Sequence, residues 1–344
     1  MKGNFESLQS LVAEIEQQEK VKHDFLVPNQ FMRMENDNSI SIPTKIGSLS
    51  SNFEVNDTFH SQLASKLSIP KKYYDAMTDI PGLRSTNVNA WLNHREEKNL
   101  VRTLDGKARA LLSDRYKPID HLLILHSFLP SVQGMEIKFQ SNSLTSSKLY
   151  IQMLFPKLEG EVERGDVVQA GITLTNSETG QGSVDVSTFL YRLVCSNGMI
   201  GESLLHKYHA GRKVGNDIED YDIYADDTIK AELKSFELRF RDILKHAISE
   251  VGFQNQLLKL KKAAGVPVER PKEAVEEVTR RYLLNNDESD NLMNNFFSEK
   301  KTVWGLANSL TALAKTIENP DRQYYFESIG NDIVLKPEQW GEVK

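Results

Sequence analysis

Cysteine occurs once in 344 residues, at Cys195, which excludes an intrachain disulfide and any metal cluster built from several cysteines of one chain. No apolar run approaches the ~18 to 20 residues of a membrane span, so no membrane partner is expected. The opening Met1-Lys2-Gly3-Asn4-Phe5-Glu6 lacks the basic start and apolar stretch of a secretory signal, and a cytoplasmic location is the expectation. Phosphate loops of the dinucleotide and Walker types are missing as well. Gly180-Gln181-Gly182 is too short and lies between strand-like segments, so ATP-driven chemistry is not expected. A basic excess is also lacking: the net charge of −6 argues against simple coating of nucleic acid by the whole surface. The charge is uneven, however. Residues 101–215 carry 13 Lys and Arg against 11 Asp and Glu, a balance of +2 that leaves −8 to the flanks. This permits a basic groove in the middle of an otherwise acidic chain.

What is there begins with an amphipathic helix. Phe5, Leu8, Leu11, Val12 and Ile15 fall at helical spacing opposite Glu14, Glu16, Gln17, Gln18 and Glu19. Residues 24–55 read as short strands and turns. Two short helices follow, the second opened by Pro70 and carrying Lys71, Lys72, Tyr73 and Tyr74. That group suits either stacking on bases or ordinary helix packing.

The sheet begins near Leu100. Asp105-Gly106 separates two apolar runs and predicts a tight hairpin. Its second strand carries Arg109 and leads into Leu112-Ser113-Asp114-Arg115-Tyr116-Lys117-Pro118-Ile119-Asp120, with Pro118 opening a helix to about Phe128. Arginine and lysine at a strand end suit phosphate; the alternative is a local pair of Asp114 with Arg115 or a helix cap. Four further segments alternate with period two, at 135–140, 148–155, 168–174 and 183–195. Such alternation predicts an antiparallel sheet with one face on a core, and the short connections leave no room for the crossover helices of a parallel sheet. Arg192 shares a face with Val184, Val186, Leu190 and Val194, and either reaches past the sheet or pairs internally with Glu178 or Asp185. Asn197-Gly198 is read as the turn ending this strand, and His206, Lys207, Tyr208, His209, Arg212 and Lys213 as a basic, aromatic segment beyond it. That segment is either a single-strand contact or a solvated helix face.

His206 and His209 have a metal-ligand spacing but no third ligand nearby, and no spacing ties His121 or His126 to Ser113 or Cys195 as base to nucleophile. No catalytic residue, metal site or cofactor is therefore assigned, and whether the protein is an enzyme stays open. The C-terminal part is mainly helical, with a long amphipathic helix from Asp226 to Val251, a linker at 264–271, a helix through Val303 to Ile317, and a closing stretch at 331–344 read as strand-like or irregular. The expected fold class is α+β. A central antiparallel sheet over about residues 100–196 is backed by long amphipathic helices, in three regions, 1–99, 100–264 and 265–344.

The stretch Leu112 to Asp120, the Asn176-Ser177-Glu178-Thr179-Gly180 turn, the strand end Arg192 to Met199 and the segment Val303 to Thr311 together resemble the phage, prophage and plasmid family catalogued as domain of unknown function 932, over roughly residues 60–330. That family looks like a distant relative of the ATP-independent single-strand annealing recombinases, the group containing eukaryotic Rad fifty-two and the phage Red-beta and Erf proteins. The resemblance implies an antiparallel sheet backed by a long helix, assembly of copies into a ring or filament, and single-stranded DNA held by its phosphates in a basic groove. A phage or host single-strand-binding protein is a further partner it implies, in a bacterial cytoplasm.

Three readings stand. The first is a mobile-element single-stranded-DNA-binding and annealing protein, with Arg109, Arg115, Lys117, Arg192, Lys207, Arg212 and Lys213 on phosphate and Tyr116 or Tyr208 stacking. The second is a phage protein that binds or blocks a host factor. The third is a Mg²⁺-dependent nucleic-acid enzyme using Asp114, Asp120, Glu178 and Asp185.

Overall fold

The computed structural model describes residues 3–4, 7–43, 50–207, 226–247 and 249–341. The chain opens with β1 (Gly3–Asn4), α1 (Leu8–Val21), β2 (Lys22–Pro28), β3 (Arg33–Met34), β4 (Ile40–Pro43) and β5 (Ser50–Val55). Helices α2 (Asp57–Lys66), α3 (Lys71–Ala76) and α4 (Leu83–His94) lead to the hairpin of β6 (Lys98–Leu104) and β7 (Lys107–Ser113), and then to α5 (His121–Val132). Five strands come next: β8 (Lys138–Leu144), β9 (Leu149–Glu163), β10 (Asp166–Asn176), β11 (Val184–Arg192) and β12 (Asn197–Lys207). Helices α6 (Asp226–Ala247), α7 (Glu250–Gly265), α8 (Pro271–Arg281), α9 (Asn286–Ser298), α10 (Val303–Ala314), α11 (Pro320–Leu335) and α12 (Pro337–Gly341) complete the described chain. Local chemistry sets these starts. Ser7 and Ser10 form a capping box on α1, Asn285 and Glu288 another on α9, Asn56 accepts from the Phe59 amide at the head of α2, and Pro271 occupies the first turn of α8.

The fold is α+β, as the sequence predicts, but the strands among the described residues form two six-stranded sheets. The second sheet, in the order β1-β8-β9-β10-β11-β12, is antiparallel throughout. The first runs β2-β6-β7-β5-β4-β3, with β5 and β7 its one parallel pair. The 98–113 hairpin, expected to begin a sheet continuing to residue 196, belongs to the first sheet. Its two edges are taken by β2 and β5, and α5 carries the chain away before β8 begins. The hairpin turn is as expected: Asp105 and Gly106 both have positive φ, +48° and +71°, the paired left-handed geometry of a two-residue connection.

One face of the second sheet carries Leu149, Ile151, Met153 and Phe155 of β9, Ile172 and Leu174 of β10, and Val184 and Val186 of β11. Against it lie Leu11 and Ile15 of α1, Ile124 and Phe128 of α5, and Phe236, Phe240 and Leu244 of α6. Phe128 meets Phe240 edge to face with centroids 5.2 Å apart. Leu190 and Met199 pack with α7 to α12 in a separate core, and α2 and α4 cover the first sheet through Phe59, Leu63, Val88 and Leu92.

Three expectations are corrected. The turn after β11 is Leu193–Ser196, where Ser196 takes φ +52°, and Asn197-Gly198 starts a full strand, β12, rather than ending one. The long helix read from 226 to 251 ends at Ala247; Ser249 caps a new helix through the Gly252 amide. Residues 331–341 are helical, and Trp340 is buried beside Tyr282 with centroids 6.4 Å apart.

Candidate functional site

The sequence stretches singled out above meet in pairs. The first pairing, Leu112–Asp120 with Asn176–Gly180, is built around a buried ionic cluster. Arg102 on β6 is fully buried and divides its guanidinium among Asp24 (2.9 Å), Asp120 (2.7 Å) and the Glu178 carbonyl (3.0 Å). Lys22 on β2 lies 2.7 Å from Asp120 and 3.7 Å from Glu178. Glu178 accepts from Arg109 at 2.5 Å and from the His121 backbone amide at 2.7 Å, so its carboxylate caps the N-terminus of α5. Burial alone would raise the Glu178 pKa; the neighbouring His121, Arg109, Lys22 and Arg102 outweigh it and hold the carboxyl well below its ordinary value. Burial lowers the His121 pKa, against the opposing pull of Glu178 and Asp120, and its Nδ1 lies 3.0 Å from the Asn176 amide. Tyr116 Oη donates to the Ser177 carbonyl at 3.2 Å. Asp120 sits at the cap position of α5, but its side chain turns to Arg102 and Lys22 instead of the helix.

The second pairing joins Arg192–Met199 to the segment at 303–311. Arg192 donates to Asp166 (2.6 Å) and Glu299 (2.9 Å), and the Trp304 indole donates to the other Asp166 oxygen at 2.8 Å. Asn197 donates to Thr311, and Lys315 to the Cys195 carbonyl at 2.7 Å. This network fastens the β11–β12 hairpin to α10. Its ion pairs are inside the protein.

An open groove of about 390 Å³ runs along α2, beside the first pairing. Thr58, Ser61, Gln62 and Ser65 recur along one face of the helix at helical spacing, followed by Lys66; Leu111, Gly180 and Gln181 form the opposite wall. Gln62 ties the walls together: its Oε1 accepts from the Leu111 amide at 2.8 Å and its Nε2 donates to the Thr179 carbonyl at 2.7 Å. Gln181 donates to Thr58 at 2.8 Å. Gly180 has φ +74°, and a Cβ there would stand 2.5 Å from Leu112 Cδ2, so the turn requires glycine. Burial lowers the Lys66 pKa below its ordinary value, against the pull of Glu97 and Asp114. Asp114 belongs to the turn that carries Arg115, which is exposed and has no carboxylate partner among the described residues. A second open groove, about 550 Å³, borders the ionic cluster and is lined by Glu19, Asp120, Leu122, His126, Lys234 and Glu237 among others. Two of its walls carry carboxylates, which disfavours an anion.

Of the nine residues selected from sequence, Arg109 and Arg192 are spent on internal ion pairs; internal pairing was one of the two alternatives for Arg192, but its partners are Asp166 and Glu299 instead of Glu178 or Asp185. Arg115 is the exposed one, Lys117 is half-buried, and Tyr116 is held by Ser177. Lys207 is the last residue of β12, paired in register with Val184; Tyr208, Arg212 and Lys213 lie outside the described residues. The four carboxylates weighed for Mg²⁺ do not converge. Asp120 and Glu178 are neutralised in the ionic cluster, Asp114 is on the exposed turn, and Asp185 binds Ser187 and Ser203. Among the described residues no group of three His, Cys, Asp or Glu is placed to hold a metal ion. Sequence reasoning missed Lys22, Arg102 and the α2 face. Arg102 was signalled as a charge inside an apolar strand, and the α2 face as hydroxyl and amide side chains at 58, 61, 62 and 65.

A family model described as Domain of unknown function (DUF932) matches residues 109–323. The match starts within β7, so it takes in Arg109, Glu178 and the Gly180 wall of the groove but not α2. No curated protein and no solved structure matches the chain.

Proposed function

The chain belongs to the family described as Domain of unknown function (DUF932), a description that assigns no activity, and from that premise we propose that it is a single-stranded-DNA-binding protein of a phage or other mobile element. In this reading it anneals complementary strands without ATP, in the manner of the Rad fifty-two-like group, as a ring or filament of copies. The observation that carries the reading is the α2 groove. It offers hydroxyl and amide groups from Thr58, Ser61, Ser65 and Gln181, with Lys66 at one end and Arg115 on the neighbouring turn. Neutral donors and a few unpaired cations are what a sugar-phosphate chain requires, and such contacts carry no sequence preference. The phosphate set is accordingly Lys66 and Arg115. Arg109 and Arg192 support the fold around that set.

The ionic cluster has a role in this account. It pins the 113–120 turn to the 176–180 turn, which fixes the wall opposite α2 and the turn that carries Arg115. No acid, base or metal is needed, because base pairing supplies the free energy of annealing. The test is a strand-pairing assay with purified protein and two complementary fluorescent oligonucleotides, in EDTA and without nucleotide. Faster pairing than in the protein-free control is expected, and the K66A/R115A variant should lose the acceleration. Equal rates with and without protein would contradict the proposal.

A further inference from the structure

We propose that Trp91 is a base-stacking platform at the end of the α2 groove, so that the ligand read there is an unpaired nucleobase; this rests on the single-strand reading above. The chain has three tryptophans. Trp304 and Trp340 are buried at 4% and 1% exposure, whereas Trp91 on α4 is 42% exposed. Arg95, one turn later, stands with its guanidinium 5.7 Å from the Trp91 ring centroid, and His94 meets the ring edge-on at 5.9 Å. The same guanidinium reaches the C-terminal end of α2, donating to the carbonyls of Lys66 (2.6 Å) and Leu67 (3.2 Å) and to Ser68 Oγ (2.9 Å).

Arg95 therefore does two things. It caps the last carbonyls of the helix that lines the groove, where a cation is favoured by the helix dipole. It also links the Trp91 ring to the end of α2 that carries Lys66, bonding the Lys66 carbonyl while standing over the indole. Among the described residues no carboxylate lies within ion-pair distance of Arg95, so its charge offsets the nearby Glu97 and Asp114 that act on Lys66 and leaves positive charge for an anionic ligand. An indole under one cation and linked to the helix end that carries another matches a nucleotide whose phosphate meets the cations and whose base lies on the ring. Every base has a π-face, so the platform accepts any sequence, but a base paired in a duplex has no face to offer.

The position of the tryptophans makes the test specific. Trp304 and Trp340 are shielded, so quenching of intrinsic fluorescence by added oligonucleotide reports on Trp91. Titration with single-stranded oligo-dT should quench the emission, and the matching duplex should not. W91A should weaken single-strand binding about 5- to 150-fold, the range for one stacked base, and W91Y should restore most of it. K66A should weaken binding yet leave the quench at saturation intact. Thermal unfolding of W91A within about 2 °C of wild type guards against a folding defect, as expected for an exposed side chain. Strong anisotropy-detected binding with no quench, with wild-type affinity in W91A, or with equal quenching by duplex overturns the stacking site and leaves the groove reading intact. Absence of any binding overturns both.

Discussion

Glu327 gives the sharpest test of the packing. It lies on α11 against the second sheet, 5% exposed, and accepts hydrogen bonds from Gln152 at 2.5 Å and Gln323 at 3.5 Å, with no cation paired to it among the described residues. Burial pushes its carboxyl from an ordinary 4.5 up to about 7, against the smaller opposing pull of those two donors. The sign follows from proton linkage. Unfolded chains release this proton near pH 4.5 and the folded protein near pH 7, so between those values the folded state binds more protons, and raising the pH destabilises it. Each pH unit across the window costs about 1.4 kcal/mol, so roughly 3 kcal/mol is lost from pH 4.5 to pH 7 and stays lost above it. Glu327→Gln keeps the acceptor for Gln152 and removes the charge. In urea unfolding, E327Q should match wild type within about 1 kcal/mol at pH 4.5 and exceed it by roughly 2 to 3 kcal/mol at pH 8. An equal difference between the two proteins at both pH values would refute the assignment of a neutral buried carboxyl.

Glu178 should behave in the opposite sense. Its pKa is lowered, so the stability it provides is present above its ordinary value and is lost as pH falls through the folded value; E178Q at pH 7 should cost about 3 to 5 kcal/mol by urea unfolding, because the buried Arg109 loses its carboxylate partner. Gly180→Ala should cost about 1 to 3 kcal/mol in the same assay, since the φ of +74° and the 2.5 Å approach to Leu112 both oppose a Cβ. Arg192→Ala should cost about 2 to 4 kcal/mol and expose Trp304 to acrylamide quenching, as Asp166 and Glu299 lose their shared cation.

Local signals carried the parts of the fold they govern. Asp105-Gly106 specifies its hairpin through two left-handed residues, and alternation along β9 to β11 marks the face that α1, α5 and α6 cover. The division into two sheets was not legible, because the partners of β6 and β7 are β2 and β5, whose paired residues lie 53 or more positions earlier in the chain and depend on long-range closure. The strand β12 was hidden by Asn197-Gly198, a dipeptide that reads as a turn, when the turn is made by a left-handed Ser196 instead. The candidate site divided along the same line. The four stretches that resemble the family meet in two pairs, but a charge on a strand does not reveal whether a carboxylate waits across the sheet. For Arg109 and Arg192 one does, at Glu178, Asp166 and Glu299; for Arg115 none does among the described residues. The α2 groove escaped because hydroxyls at helical spacing resemble any solvated helix face.

The measurement that tests the central claim most directly is the anisotropy of a labelled single-stranded oligonucleotide titrated with the full chain between about 50 and 200 mM salt. Binding that weakens steeply with salt is predicted, with the slope of log K against log salt shallower by about 0.7 in each of K66A and R115A, one phosphate contact apiece. Absence of binding at the lowest salt, or binding whose affinity and slope neither substitution changes, would contradict the assignment of the α2 groove to a nucleic-acid strand.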